Sequence, residues 1–194
     1  MDDYADSTLA FIRDRGIAGC DVIGHSFGGR VIVKLAAKDP KTFNRIVLTG
    51  AAGVRKHRTL GYYLRVYSFK LGKRLAKRPP AVRLFRLLGV DLEAKVHNAG
   101  SEDYRALPES MKRTFSLVVN ENLRPLLKKV KNPTLLLWGE EDRETPLWIA
   151  KVMEKEIPDC GLVTYPKAGH FAYLECLPQF AAVISNYFGI ERGK

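Results

Sequence analysis

Two hydrophobic rhythms take turns along this chain. Tyr4, Thr8, Phe11 and Ile12 recur at helical spacing, and Gly16 follows as a stop, which predicts a helix over 3–15. Cys20-Asp21-Val22-Ile23 reads as a short strand. Helical spacing returns over 28–38, with Val31, Ile32, Leu35 and Ala36 facing inward and Asp39-Pro40 ending the run. Arg45 to Thr49 is a second strand, and the small residues Gly50 to Gly53 turn the chain after it. From 55 to 125 only helical patterns occur, interrupted at Pro79-Pro80 and Asn98-Ala99-Gly100. Strands return at 134–138 and 162–165, separated by a helical pattern over 146–157 and followed by one over 178–187.

Strands that alternate with helices predict an α/β fold with a parallel sheet. The strands are short apolar runs, as expected where helices cover both faces. The stretch 55–125 then stands out as a helical insert, a cap, between a core formed by 1–54 and 126–194.

Composition narrows the partners. Of 194 residues, 32 are Lys or Arg and 21 are Asp or Glu, for a formal charge of +11. The excess has one location. Residues 55–86 hold 11 Lys and Arg and no acid, so the rest of the chain is balanced. A charge-based reading therefore concerns the insert alone. In 59–77, Leu60, Tyr63, Leu64, Tyr67, Leu71 and Leu75 form a stripe, with Arg65, Lys73 and Lys77 on another side. The leading expectation is a cap whose solvent face is basic. Attraction of anionic or acyl substrates comes next, then an anionic membrane surface. Nucleic acid is disfavoured, because no reading motif accompanies the charge.

No apolar run is long enough to span a membrane, and the acidic start Met-Asp-Asp-Tyr is unlike a secretion signal, so a cytoplasmic location is expected. Cys20, Cys160 and Cys176 are odd in number and widely spaced, which predicts free thiols. Neither HExxH nor CxxC occurs, so no metal and no cofactor are expected.

The chemistry begins at Gly24-His25-Ser26-Phe27-Gly28-Gly29, between the first strand and its helix. The pattern G-x-S-x-G in that setting is a nucleophile elbow. Glycines two before and two after the serine let backbone pack closely around a strained turn. With the further glycine, about one chain of this length in two hundred matches by chance. A serine needs a base, and the base needs an orienting acid, in the order Ser, Asp/Glu, His. Each should follow a later strand, since ligands collect at the carboxyl ends of parallel strands. Gly139-Glu140-Glu141-Asp142 follows the third strand, and Ala168-Gly169-His170-Phe171 follows the fourth.

GHSFGG, LLLWGEED-x-x-x-P and AGHF together resemble the α/β-hydrolase superfamily over essentially the whole chain. The resemblance implies a serine hydrolase acting on a carboxylic ester or related acyl compound through an acyl-enzyme. By matching positions, Ser26 resembles the nucleophile, Asp142 the acid and His170 the base, and the Phe27 N–H resembles one oxyanion donor. Glu140 or Glu141 remains an alternative to Asp142. His25 touches the elbow from the wrong side for a base and suits packing or support. Phe27, Tyr63, Tyr67 and Phe171 are the candidate substrate contacts. Serine at the elbow argues against dehalogenases and epoxide hydrolases, which resemble this pattern with aspartate there.

The family has four strands and a helix before the elbow strand, which would need about 60–90 residues. Here one helix precedes it. The resemblance therefore implies the carboxyl half of the sheet, with the elbow strand as a bare edge open to self-association or to an N-terminal partner. The second oxyanion donor often comes from a His-Gly loop, and no His-Gly pair occurs. The competing expectation is a half-domain, weakly active or inactive, that binds a partner chain or an anionic surface.

Overall fold

The computed structural model describes residues 1–55, 60–87 and 106–190 of the chain. Helix α1 spans Asp2–Asp14. It is followed by β1 (Cys20–His25), α2 (Phe27–Lys38), a short 3-10 turn (Pro40–Thr42) and β2 (Phe43–Thr49). Helices α3 (Leu60–Leu75), α4 (Pro79–Leu87), α5 (Glu109–Val119) and α6 (Arg124–Leu127) come next. Then follow β3 (Thr134–Gly139), α7 (Trp148–Glu156), β4 (Cys160–Tyr165), α8 (Ala172–Glu175) and α9 (Leu177–Phe188).

The four strands form one parallel sheet in the order β1-β2-β3-β4. Chain order is thus preserved across the sheet, and β1 and β4 are its edges. Alternation of side chains along each strand sends Ile46, Leu48, Leu136 and Trp138 to the face that packs against α2 and α7. Val47 and Leu137 go to the other face, where Phe180 of α9 and Ala172 of α8 meet them. Both faces are covered, which is why Ile46-Val47-Leu48 in β2 and Leu135 to Trp138 in β3 are unbroken apolar runs.

The helix predicted over 3–15 forms, but its buried face differs from the one expected. Ala5 and Ile12 are buried, with Leu9 partly so, whereas Tyr4 and Phe11 are exposed. The small Ala5 lets α1 approach α2 closely, so the helix rotates away from its aromatic residues. Tyr4 instead meets the elbow, its ring edge-on to Phe27 with centroids 5.2 Å apart.

Two compact units divide the chain: 1–55 with 118–194, and 56–117. Residues 118–125, which the sequence reading assigns to the insert, fall in the first unit. Leu123 is fully buried there. So is Arg30 of α2, whose guanidinium donates to the carbonyls of Val118 (2.8 Å) and Glu121 (2.5 Å). Those carbonyls lie at the C-terminal end of α5, which has run out of helical donors, so Arg30 supplies them. Burial pushes the Arg30 pKa below its usual value. No helix among the described residues is long and apolar enough to cross a membrane.

Candidate active site

Ser26 lies between the end of β1 and the first residue of α2, with φ 48° and ψ −109°. That is a left-handed backbone for a residue with a Cβ, a strained state that persists only where its surroundings enforce it. Two hydrogen bonds do so: Ser26 N donates to Thr49 O (3.1 Å), and Ala52 N donates to Ser26 O (3.0 Å). The elbow is thereby bound to the turn after β2. Glycines make the contact close, though not quite as the motif suggests. A Cβ at Gly24 would sit 2.4 Å from Ile32 Cδ1, and one at Gly29 would sit 2.4 Å from Ala51 Cβ. Gly28 has nothing within 4 Å, so the extra glycine of the motif, not the one two after the serine, carries the packing.

The loops that carry Asp142 and His170 are joined in the same manner. Glu141 N donates to Ala168 O (2.9 Å), and Glu140 N donates to Tyr165 O (3.1 Å). A Cβ at Gly139 would collide with Gly169 O at 2.2 Å, so only glycine permits this approach. The result places Asp142 Oδ2 at 2.8 Å from His170 Nδ1. Asp142 is 4% exposed, and its buried charge is fully engaged. Oδ1 accepts from the backbone N–H of Glu144 (2.9 Å) and Thr145 (2.8 Å), and the Thr145 hydroxyl lies 2.8 Å from Oδ2. Glu140 and Glu141 are exposed, and Glu140 accepts a bond from Thr164 on the surface.

Two residues of this cluster escaped the sequence reading. Thr145 is buried, and its hydroxyl also lies 3.0 Å from Gly50 O and 3.3 Å from His170 Nδ1. Gly50 has φ +50°, and a Cβ there would lie 3.0 Å from His170 Nδ1 and 3.3 Å from Asp142 Oδ2. Since Gly50 directly follows Thr49, the acceptor of Ser26 N, one turn borders both the elbow and the Asp142–His170 pair. A threonine in the x-x-x stretch after Asp142 and a glycine closing β2 were the available signals.

His25 takes the supporting position. Its Nε2–H donates to the His170 carbonyl (3.1 Å), and its ring centroid lies 4.6 Å from that of His170, with Phe171 at 5.4 Å and Tyr173 at 5.0 Å. Burial holds the His25 pKa below the usual 6.5, against the bond to the His170 carbonyl, which raises it. A histidine kept neutral by the fold costs stability once solution pH would charge it. Stability linked to His25 is therefore full above pH 6.5 and falls as pH drops toward its lower folded value. Thermal unfolding of His25→Gln, compared with the parent from pH 7 to pH 5, is expected to lack this increment of acid sensitivity. Parallel curves would contradict it.

Among the described residues, neither Ser26 Oγ nor His170 Nε2 makes a hydrogen bond. Such a contact commonly tightens only with substrate present. Ser26 makes no side-chain capping bond to α2, so its hydroxyl does not occupy the N–H groups that open that helix. Phe27 and Phe171 are exposed beside Ser26 and His170. Trp138 is core, fully buried, with its indole N–H donating to Thr145 O (2.7 Å). Tyr67 is exposed on α3 of the second unit, and the side chain of Tyr63 lies outside the described residues, as do His57 and His97.

A parallel sheet with a strained serine after one strand, an aspartate after the third and a histidine after the fourth is the arrangement of the α/β hydrolases. Residues 1–183 match the alpha/beta hydrolase family, and the chain belongs to it. Its relatives are hydrolases. It is 27% identical over 195 residues to a 2-hydroxymuconate semialdehyde hydrolase of Pseudomonas putida, covering 95% of this chain and 67% of that one. It is 25% identical to a pimeloyl-[acyl-carrier protein] methyl ester esterase of Nitrosomonas europaea, covering 93% and 75%. A meta-cleavage product hydrolase from Pseudomonas fluorescens shares the fold, with a TM-score of 0.63 at 24% identity, over 97% of this chain and 71% of that one.

Proposed function

We propose that this hydrolase cleaves a carboxylic ester or related acyl compound by nucleophilic catalysis at Ser26. The observation that carries the reading is the 2.8 Å bond between His170 Nδ1 and Asp142, on loops packed beside the strained elbow. Nδ1–H donates to the carboxylate, so Nε2 is the ring nitrogen left to act as base. His170 removes the Ser26 hydroxyl proton as Oγ attacks the carbonyl carbon. The oxyanion forms toward the Phe27 N–H at the start of α2. The imidazolium then protonates the leaving alcohol, and the acyl group stays on Oγ. Water attacks that ester with His170 again as base, releasing the acid and the free serine. Phe27 and Phe171 offer apolar contacts for the acyl part, and the second unit, residues 56–117, has the part of a cap.

The named relatives are a 2-hydroxymuconate semialdehyde hydrolase and an esterase of the pimeloyl-[acyl-carrier protein] methyl ester. The ester reading is preferred because it needs only the groups just described. Turnover of p-nitrophenyl esters, dependent on Ser26, is the expected result. A folded chain that turns over no acyl substrate would contradict it.

One further observation favours an association. Among the described residues, β1 is a sheet edge with no strand on its outer side, and Ile17, Ile23 and Phe11 are exposed nearby on the loop before it, on β1 itself and on α1. Such edges pair readily. Light scattering is expected to give a mass above that of one chain, and a monomer at high concentration would contradict this.

A further inference from the structure

The stripe on α3 is the largest departure from the expected packing. A row at i, i+4, i+7 and i+11 normally marks a buried face. Here Leu60 is 77% exposed, Leu64 64%, Tyr67 64% and Leu71 58%. Three leucines and a tyrosine therefore line up along one side of a helix, facing water. Exposed apolar residues scattered singly need no explanation, but an aligned row does.

The charges beside the row say what kind of surface suits it. Lys70 and Arg74 flank it on one side, with Lys73 and Lys77 next to them, and neither α3 nor α4 carries an acid. Tyr67, Lys70, Leu71, Lys73, Arg74 and Lys77 line one concave surface of about 730 Å³. Lys70 Nζ lies 5.7 Å over the Tyr67 ring. Lysine and arginine stems can lie on hydrocarbon while their heads reach an anionic layer, and tyrosine favours the boundary between the two. Glu109 of α5 feels the charge of Lys73 but pairs with Lys112 at 2.9 Å. An interfacial helix has this composition: leucines on one side and basic residues at its margin.

We propose that α3 docks the protein on an anionic lipid bilayer, with Leu60, Leu64, Tyr67 and Leu71 at the acyl boundary and Lys70, Lys73, Arg74 and Lys77 on the headgroup phosphates. An acidic protein with an apolar groove is the competing occupant; the open, one-sided row, with Tyr67 in it, favours the planar boundary between hydrocarbon and headgroups. A soluble anionic substrate would engage the basic groove and leave Leu60 and Leu64 in water. The bilayer engages both sets at once. Attachment of this kind is reversible and depends on salt, since each basic residue contributes through a screened field.

Flotation of the full chain with vesicles tests the proposal. Vesicles of phosphatidylglycerol mixed with phosphatidylcholine are expected to carry the protein at low salt, and phosphatidylcholine alone is not. Lys70→Glu/Lys73→Glu/Arg74→Glu is expected to weaken binding by about a hundredfold. Leu64→Ser/Leu71→Ser is expected to abolish flotation while leaving the charge unchanged. Thermal unfolding of each variant confirms that the core is intact. The wild-type comparison stands even if a variant fails to fold. Equal binding to both vesicle types, no binding to either, full binding by the leucine variant, or retention only on an acidic protein or nucleic acid would each overturn the proposal.

Discussion

Ser26→Ala is expected to lower kcat on an ester by about a million-fold while leaving the fold unchanged. The size follows from the chemistry: without Oγ, no acyl-enzyme can form, and His170 has no hydroxyl to deprotonate. The neutrality toward folding follows from the structure. Alanine keeps the Cβ, so the strain at φ 48° is the same in both proteins. Ser26 Oγ makes no hydrogen bond among the described residues, so its removal leaves no partner unsatisfied. Unfolding midpoints of the two proteins should agree within a degree or two by rough estimate. A variant that keeps its activity would remove Ser26 from the chemistry, and one that unfolds would show that the hydroxyl is structural.

Asp142→Asn is expected to cost about ten-thousand-fold in kcat, with substrate binding nearly unchanged. The surroundings of the carboxylate fix the reason. Oδ1 accepts from two backbone N–H groups, of Glu144 and Thr145, so in the asparagine variant the carbonyl oxygen must take that place. The amide NH₂ is then directed at His170 Nδ1, where Oδ2 stood at 2.8 Å. Nδ1 becomes the acceptor, the proton moves to Nε2, and the ring can no longer take a proton from serine. Glu140→Gln and Glu141→Gln provide the contrast. Both residues are exposed, and neither change should alter kcat by more than about twofold. Loss of activity in Glu141→Gln with retention in Asp142→Asn would put the acid elsewhere.

Much of the fold was legible because local signals agreed with the global one. β2 and β3 are apolar on both faces since helices cover both, and the alternation of Ile46, Val47 and Leu48 between two clusters follows from strand geometry alone. The elbow was legible for a different reason: strained turns and close approaches restrict residue choice, so Gly24 and Gly29 are visible as letters. What local patterns could not convey was partner size. The small Ala5 set the rotation of α1 and turned Tyr4 and Phe11 outward, against their hydrophobicity. The same limit hid the exposure of the α3 row, because periodicity identifies a face but not whether anything covers it.

The candidate site divides along the same line. Ser26, Asp142 and His170 stood out because each ends a strand in the expected order. Thr145 and Gly50 did not, because their significance is a contact between segments 95 residues apart. Arg30 reads as an ordinary helix surface residue until α5 ends against it. Such positions acquire meaning only when the chain returns to them.

The most direct measurement is mass mapping of the intact, folded chain after treatment with a fluorophosphonate. Phosphonylation requires a serine made nucleophilic by its base, yet it needs no cleavable substrate and no knowledge of the natural one. A single adduct on the peptide containing Ser26, lost in Asp142→Asn and His170→Ala, is the predicted result. A folded chain that takes up no probe, or takes it up at a serine other than Ser26, would contradict a nucleophile at the elbow.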